Sequence, residues 1–600
     1  MKFLTFFAII LVTLFSNAQV YNQKTWATYY FGAISRANNV AVDNEGNIIV
    51  LGSVSKIQPL PYYIGFTTVG AHKPGFDASG TNYDKDCTLS KFSPDGNLIW
   101  ATQFGGQSDD DPYQLILDSN NNIYFSGNTR SNSGIATVGS FDENPPTSFD
   151  SKRFLTKFDT NGVQQWGTYI NGFGLSASIC IDINNHIYFN GNTSAASGIS
   201  TTGAYQYDYQ NYVIVENPTA NVSNGFVLKF DSNGNRLAGT YLGKTNPNIS
   251  VFEVTTDSNG DVIVVQHTNY YSNNQLATPG CYQNMTCTSA LNNVEATITK
   301  LNSSLSQIIW STYYGGINGN TQIFSVACHN NTIFIGGQAT QSNNFTTAGC
   351  FQANVLNNTP IYGSGFIASF NSDGVRQWAT YYPERVDDIS VFNNKMYVTG
   401  ATNSGNNNLA TIGSYQNIFN GGTSDGFFSE FNLDGSRNWS SYFGGENFDR
   451  IYSIFMKANN LYIVGTTFSS NNISTIGSLQ PNLNIGNLGI NQSGKGNMFL
   501  AKFNKDNLST NNFSNLQLQM SPNPNNGQFT LTGNINNLQK NMSLLIYDGL
   551  GRQITSKEIQ VTGNQINHEF NFANQLSQGL YFAKITDGKT VLQTFKVLVK

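Results

Sequence analysis

Five histidines, His72, His186, His267, His329 and His568, are the natural start for a metal centre or a general base. They fall in separate stretches, and none stands at the short spacings that hold zinc. Carboxylates occur in adjacent sets, Asp109–Asp110–Asp111 and Asp387–Asp388. Such sets can hold a cation or a sugar hydroxyl, but with no base beside them they read as solvated loop charge. "DSNGDV" from Asp257 opens as a calcium loop does, yet its twelfth residue is Thr268, where a bidentate Glu is needed. It reads as turn chemistry. No G-x-S-x-G elbow, H-E-x-x-H pair or phosphate loop occurs. Of the six Cys, Cys281 and Cys287 could close a small loop, whereas Cys180 and Cys328 read equally well as buried thiols in strands. The residues therefore offer no cofactor site, no metal site and no catalytic set, and the expectation is a protein that is not an enzyme.

The elements that carry these residues are read from a repeat. All 6 Trp open one phrase: "WATYYFG" from Trp26, then copies from Trp100, Trp166, Trp310, Trp378 and Trp439. The long gap between Trp166 and Trp310 holds a degenerate copy, "LAGTYLGK", which places Leu237 in the Trp slot. Three further phrases keep step: a strand such as "NIYFSGNT", a Thr-x-Gly phrase such as "TVGSF", and a strand such as "FLTKF". Short apolar or alternating runs separated by Asp/Asn-Gly turns are antiparallel strands joined by tight hairpins, since Gly accepts positive φ at little cost. Four such strands repeated seven times predict an all-β, seven-bladed β-propeller. The chain opens on a lone outermost strand and its last repeat lacks one, so the N-terminal strand closes the ring. The Trp phrase then packs blades rather than binding a ligand, and an aliphatic Leu237 in its slot fits that role.

The 600-residue chain has a net charge of −5, only 11% charged residues and no Lys/Arg run. Nucleic acid is excluded as a partner and an anionic partner is disfavoured. Residues 1–18, with Lys2 before "FLTFFAIILVTLF" and a small-residue end, read as a cleaved signal peptide. The propeller spans 19–507, a polar linker 508–515, and a terminal β domain 516–600.

The repeat "GGQSDDDPYQLILDSNNNIYFSGNT", followed by "TVGSF" and "FLTKFDTNGVQQWGTYING", resembles the bacterial β-propeller repeat called SBBP. The resemblance implies a propeller and export, and no defined activity. The tail is a small Ig-like β-sandwich by its alternating strands and Gly turns. It resembles the C-terminal sorting domain of the type IX secretion system of Bacteroidota through Pro522-Asn523-Pro524 with Gly527, Tyr547-Asp548 with Gly551-Arg552, Gly579 with Tyr581, and the basic end Lys596 and Lys600. That resemblance implies passage across the outer membrane by the type IX translocon. It also implies tail removal by its sorting protease, and release or attachment to surface lipopolysaccharide.

Long Tyr- and Asn-rich connections follow the Thr-x-Gly phrase and share a face with the links between blades. Loops on a rigid scaffold are where binding resides, so Tyr62, Tyr63, Tyr205, Tyr207, Tyr209 and Tyr212 are the candidate binding residues, with packing of the loop as their competing role. The expected function is a secreted or surface-attached binding or adhesion module for a glycan or a protein. A glycan lyase or hydrolase is the alternative, but innermost strands rich in apolar and small polar residues offer it little. A purely structural part of a surface assembly is the third reading.

Overall fold

In the computed structural model the chain divides into two units, Met1–Lys505 and Asp506–Lys600. The structure describes residues 21–504 and 516–600, except 22, 33, 56–66, 76–84, 148–150, 175, 211–222, 244–248, 270–275, 286–293, 317–319, 341–344, 357–362, 403–408, 485–495, 536–541, 549–551, 563–564 and 587–590. The expected signal peptide and linker lie outside the described residues.

The first unit is seven four-stranded antiparallel sheets, each one repeat in sequence order. Blade 1 runs Ser35–Val42, Ile48–Ser55, Lys85–Phe92, Leu98–Phe104 from the axis outward. The innermost strands of blades 2 to 7 are Asp110–Leu117, Ile179–Ile181, Ile249–Thr256, Thr321–His329, Asp388–Phe392 and Asp449–Lys457. Each packs beside the next, and the seventh packs beside the first, so the array is a closed propeller. Blade 7 takes its outermost strand from the N-terminus: Gln23–Tyr30 pairs antiparallel with Asn497–Asn504. Closure this way leaves Asn497–Asn504 paired on both sides, with no open edge in blade 7 where a fourth strand would be missing.

The repeated phrases have defined jobs at the rim. The Thr of each Thr-x-Gly phrase runs back along the outermost strand, and its hydroxyl accepts from the residue after the Trp slot. Thr68 does so with Ala101, Thr137 with Gly167, Thr201 with Gly239, Thr278 with Ser311, Thr347 with Ala379, Thr411 with Ser440 and Thr475 with Ala27. Each Trp then leans on the following blade. Trp100 Nε1 donates to Thr160 O at 3.1 Å, and a Cβ on Gly162 in that turn would lie 3.0 Å from the indole. Trp26 with Gly96, Trp166 with Gly234, Trp310 with Gly374 and Trp378 with Gly435 repeat the arrangement. At blade 7, which has no such turn, Tyr21 stands against Trp439 with ring centroids 5.4 Å apart.

The expected place of Leu237 is corrected. Ala238 pairs with Lys229 as Trp166 pairs with Lys157, so Ala238 holds the Trp slot. Leu237 lies one residue earlier and is 48% exposed. The space left by the missing indole is filled from the other side, where Leu305 replaces the turn Gly, has φ 57° and is fully buried in one apolar cluster with Ala238 at its edge.

The second unit is two four-stranded sheets around one apolar core that includes Phe529, Leu531, Leu544, Ile546, Ala583 and Val597, a β-sandwich.

Candidate functional site

Two rings of side chains surround the propeller axis. The inner one comes from a single register position. Asn39, Gln114, Ser178, Glu253, Ser325, Asp388 and Ser453 stand at equivalent places on the seven innermost strands or at their start: Asn39 faces Leu51, Glu253 Val265, Ser325 Gly336, Asp388 Thr399 and Ser453 Val464, while Gln114 and Ser178 directly precede Leu115 and Ile179, which pair with Phe125 and Phe189. All seven are polar. Five of them reach across to the backbone of the next blade: Ile179 N donates to Gln114 at 2.9 Å, Val254 N to Ser178 at 3.2 Å, Val326 N to Glu253 at 2.6 Å, Ile389 N to Ser325 at 3.1 Å and Ile454 N to Asp388 at 3.0 Å. An inner strand has no further strand to pair with, and this girdle satisfies its free N–H groups. The channel that girdle residues Asn39, Gln114, Asp388 and Ser453 line together with Val40, Leu115, Ile389 and Ile454 is mixed in character and has a volume of about 530 Å³.

The outer ring lies at the mouth where the links between blades enter. Most inner strands carry a β-bulge just before the girdle, which turns Asn38, Tyr113, Phe252, Phe324 and Tyr452 toward the axis. Contacts run round all seven junctions. Asn38 donates to Pro112 O at 3.0 Å, Tyr113 bonds Ser176, and the Ser176 hydroxyl donates to Phe252 O. Phe252 meets Phe324 at 5.6 Å, and the Arg385 guanidinium lies 4.6 Å over the Phe324 ring. Asp387 joins Arg385 at 2.6 Å to Arg450 at 2.7 Å, and Arg36 covers Tyr452 at 4.2 Å. The innermost strands therefore present guanidinium and aromatic groups, not only the apolar and small polar residues expected of them.

The acids are also corrected. Asp110 is no solvated loop charge but fully buried; its Oδ2 accepts from Gly106 N at 2.8 Å and from Ser131 Oγ at 2.7 Å, and burial pushes its carboxyl up to about 7. Asp449 holds Gly445 and Ser469 in the same way. Asp109 and Asp111 are half-exposed, Asp111 pairing with Lys85. Asp387 is committed to two arginines and Asp388 to the girdle. Burial, with Asp388 nearby, pushes Glu253 up to about 8. Asp257 accepts from Asn259 N and Asp261 N and pairs with Lys300 at 2.7 Å, so its turn already holds a cation of its own chain.

The histidines do not converge. His186 pairs with Asp182, His72 packs on Phe158, His329 meets Asn394, and His568 stacks on Phe570. His267 is buried 4.2 Å from the Phe252 ring, which lowers it to about 4. Among the described residues no group of three or more His, Cys, Asp or Glu is placed to hold a metal. Cys87, Cys180, Cys281, Cys328 and Cys350 are free thiols, and Cys287 lies outside the described residues.

Of the candidate tyrosines, Tyr62, Tyr63 and Tyr212 lie outside the described residues. Tyr205 and Tyr209 are half-buried against blade cores, Tyr209 edge-on to Tyr241 at 5.8 Å, and Tyr207 is exposed at 57%. Tyr205 donates its N–H to Leu305 O of the next blade, which puts this stretch at the rim and not at the axis. The mouth is not legible in the sequence because its members come from all seven repeats. The readable signal is an arginine at or just before the start of the innermost strand in repeats one, six and seven.

In the tail, the Pro522-Asn523-Pro524 segment docks on the last strand. Leu598 N donates to Asn523 Oδ1 at 2.9 Å and the Asn523 amide donates to Lys596 O. Gly527, at φ 89°, has room only for hydrogen, since a Cβ would lie 2.7 Å from Ala573 Cα. Arg552 closes its turn on Asp548 at 2.8 Å, and Tyr581 donates to Ser577 O at 3.0 Å. Gly579 opens the strand that holds Tyr581, Lys596 and Lys600 stand exposed on the last strand and its end, Tyr547 lies beneath Lys584, and Gly551 falls outside the described residues.

Comparison with known proteins agrees with these two parts. Residues 519–600 match the secretion system C-terminal sorting domain and residues 99–134 match the β-propeller repeat. A curated relative, an uncharacterised WD repeat-containing protein of Acanthamoeba polyphaga mimivirus, is 26% identical over 251 residues; the match takes 38% of this chain and only 17% of that protein. Among solved structures, BamB from Moraxella catarrhalis aligns at TM-score 0.32 and 9% identity over 79% of this chain and all of its own. The propeller domain of the Trilobed protease from Pyrococcus furiosus aligns at 0.37 and 7% over 72% and 92%. PorZ of the type IX system of Porphyromonas gingivalis aligns at 0.21 and 12% over 94% and 81%. Likenesses at this level carry no argument, and the fold rests on the strand pairing. The chain is a β-propeller that carries an SBBP-type repeat at residues 99–134 and a type IX secretion sorting domain at residues 519–600, and is exported to the cell surface or extracellular space.

Proposed function

We propose that the exported propeller is a non-enzymatic binding module that holds a glycan at the axial mouth. The observation that carries this is the outer ring: Tyr113, Phe252, Phe324 and Tyr452 are brought to one opening by a shared bulge, with Arg36, Arg385 and Arg450 stacked among them. Sugar rings pack on aromatic faces, and guanidinium forks donate to their oxygens. The sorting domain engages the secretion machinery; tail removal and attachment to lipopolysaccharide belong to the proposal. The expected loop tyrosines, of which Tyr207 is exposed, would be a secondary rim.

A lyase or hydrolase draws support from Glu253, an acid held near neutrality at the axis. Against it, the bond that Glu253 makes to the next blade is made elsewhere by Gln, Ser and Asp, so a carboxyl is not what the position requires. A glycan array with the secreted protein, repeated with Tyr452→Ala, tests the binding reading: retention by some glycan and its loss in the variant are expected. Depolymerisation of a polysaccharide panel, abolished by Glu253→Gln, would put the enzyme in its place.

A further inference from the structure

A groove of about 700 Å³ runs along the outer rim between blades 2 and 3. Its walls are the Thr137–Phe141 phrase and Trp166 of blade 2 and the Ser232–Arg236 turn of blade 3. It opens on solvent: Val138 is 97% exposed on one lip, and Asn233 is exposed on the other. The volume falls in the range of small-ligand pockets, roughly 300–1,000 Å³. Two cations line it, Lys157 and Arg236, and none of the described residues in its walls is Asp or Glu. Lys157 Nζ donates to Ser232 O at 3.0 Å. The Arg236 guanidinium lies 4.8 Å over the Phe141 ring, and Nη1 donates to Gly198 O at 2.7 Å and Ile199 O at 3.2 Å. Among the described residues neither cation pairs with a carboxylate. Asp231, which opens the turn, is taken up by Asn233 N, Asn235 N and the Asn235 amide.

The sister junctions show what is particular here. Arg376 lies over Tyr282 and Arg437 over Phe351 in the same way, so the stacked arginine itself belongs to the blade junction. Its surroundings differ. Before the turn Gly those junctions carry Asp373 and Asp434, where blade 3 has Asn233. The position opposite the Trp, held here by Lys157, is Ser369 at one of them. At the other it is Lys300, which Asp257 and Asp261 neutralise at 2.7 and 3.4 Å. Of the three junctions with a stacked arginine, this one joins it to a lysine without a carboxylate partner and to a neutral turn. We infer that the groove seats an acidic sugar residue of a glycan, its carboxylate or sulfate held by Arg236 and Lys157 and its ring along Trp166 and Val138. A guanidinium edge offers two parallel donors at the spacing of such an oxyanion. Trp166 keeps its packing role against Gly234 and borders the groove with what that contact leaves uncovered. The site is separate from the axial mouth and does not depend on it. A net charge of −5 disfavours an anionic partner for the chain as a whole, but local charge decides at a groove of this size.

The test is affinity electrophoresis of the full secreted chain in gels holding polygalacturonate, dextran sulfate or neutral dextran, with thermal melting of every variant. Asn233→Asp gives the groove a carboxylate at the place where the turns of blades 1, 5 and 6 already carry Asp95, Asp373 and Asp434, so the fold accepts it. It is expected to melt as wild type does and to weaken retardation by a polyanion about tenfold. Arg236→Gln should weaken retardation at least as much, at a lower melting temperature, because Gly198 O and the Phe141 ring lose their partner. Stronger retardation in polygalacturonate or in dextran sulfate tells carboxylate from sulfate ester. Tyr452→Ala, at the axial mouth, should leave the retardation in place. Polyanion binding that is absent from wild type, or unchanged in Asn233→Asp, would overturn the inference and leave the reading of the mouth standing. Loss of polyanion binding in Tyr452→Ala but not in Asn233→Asp would assign the anion to the mouth and remove the groove.

Discussion

At the residue scale, the rim shows one space filled in two ways. Trp on one blade meets Gly on the next at five junctions, whereas Ala238 meets Leu305. The exchange is large-to-small on one side and small-to-large on the other, which conserves volume. Ala238→Trp alone is expected to destabilise by about 1–3 kcal/mol through overpacking, and Leu305→Gly alone by about 2–4 kcal/mol through a cavity. The double variant should recover much of the loss, with a coupling of about 1–3 kcal/mol in denaturant unfolding; strict additivity would refute the packing account. Asp110 gives a second residue-scale test. Burial raises its folded carboxyl to about 7 from an ordinary 3.8. The folded state therefore binds this proton more tightly than the unfolded chain. Its contribution to stability is complete below about pH 4 and is lost as pH rises through about 7. Asp110→Asn keeps an acceptor for Gly106 N. It should gain on wild type by about 2 kcal/mol between pH 4 and pH 8, read as the difference between their unfolding curves at each pH.

At the element scale, the N-terminal strand decides whether the ring exists. Gln23–Tyr30 brings seven register pairs with Asn497–Asn504, the Thr475–Ala27 clasp, the Lys24 ammonium on the carbonyls of Asn472 and Ile473, and Tyr21 against Trp439. Without it, Asn497–Asn504 is an exposed edge and Trp439 loses its cover. Deletion of residues 19–32 from the mature chain is expected to lower the melting temperature and to expose blade 7 to protease, while blades 3 to 5 remain protected in hydrogen exchange. Unchanged melting would show that closure comes from the inner strands alone. The girdle supports that inner contact, and Ser178→Ala should cost about 1 kcal/mol by leaving Val254 N unpaired.

At the scale of the whole molecule, the sorting domain and the proposed binding surface lie in different units. A chain ending at Asn515 keeps the seven blades and loses the sorting domain, so it is expected to fold and to accumulate in the periplasm, detectable by cell fractionation. Its appearance in the medium or on the surface would mean that the tail is not the address. The purified truncated ring should melt as the propeller of the full chain does, because each unit has its own core.

The sequence by itself determined the blade. Period, turn chemistry and strand alternation are local properties, and the same four strands recur seven times, so the propeller, its N-terminal closure and the sorting motif were legible. Alignment by type misplaced one residue: Leu237 looked like the Trp equivalent because both are large, whereas backbone pairing chose Ala238. Only the tertiary structure could show why, since Leu305 supplies the missing volume from 67 residues away. The axial mouth was hidden for the same reason. Tyr113, Phe252, Phe324 and Tyr452 have no common motif, and what unites them is a bulge at one register position and the closing of a ring. Burial, too, was decided by the fold: Asp110 in a run of three aspartates looks solvated, and it is the packing of the blade 1–2 link against the connection at Ser131, after the second strand of blade 2, that takes it out of water.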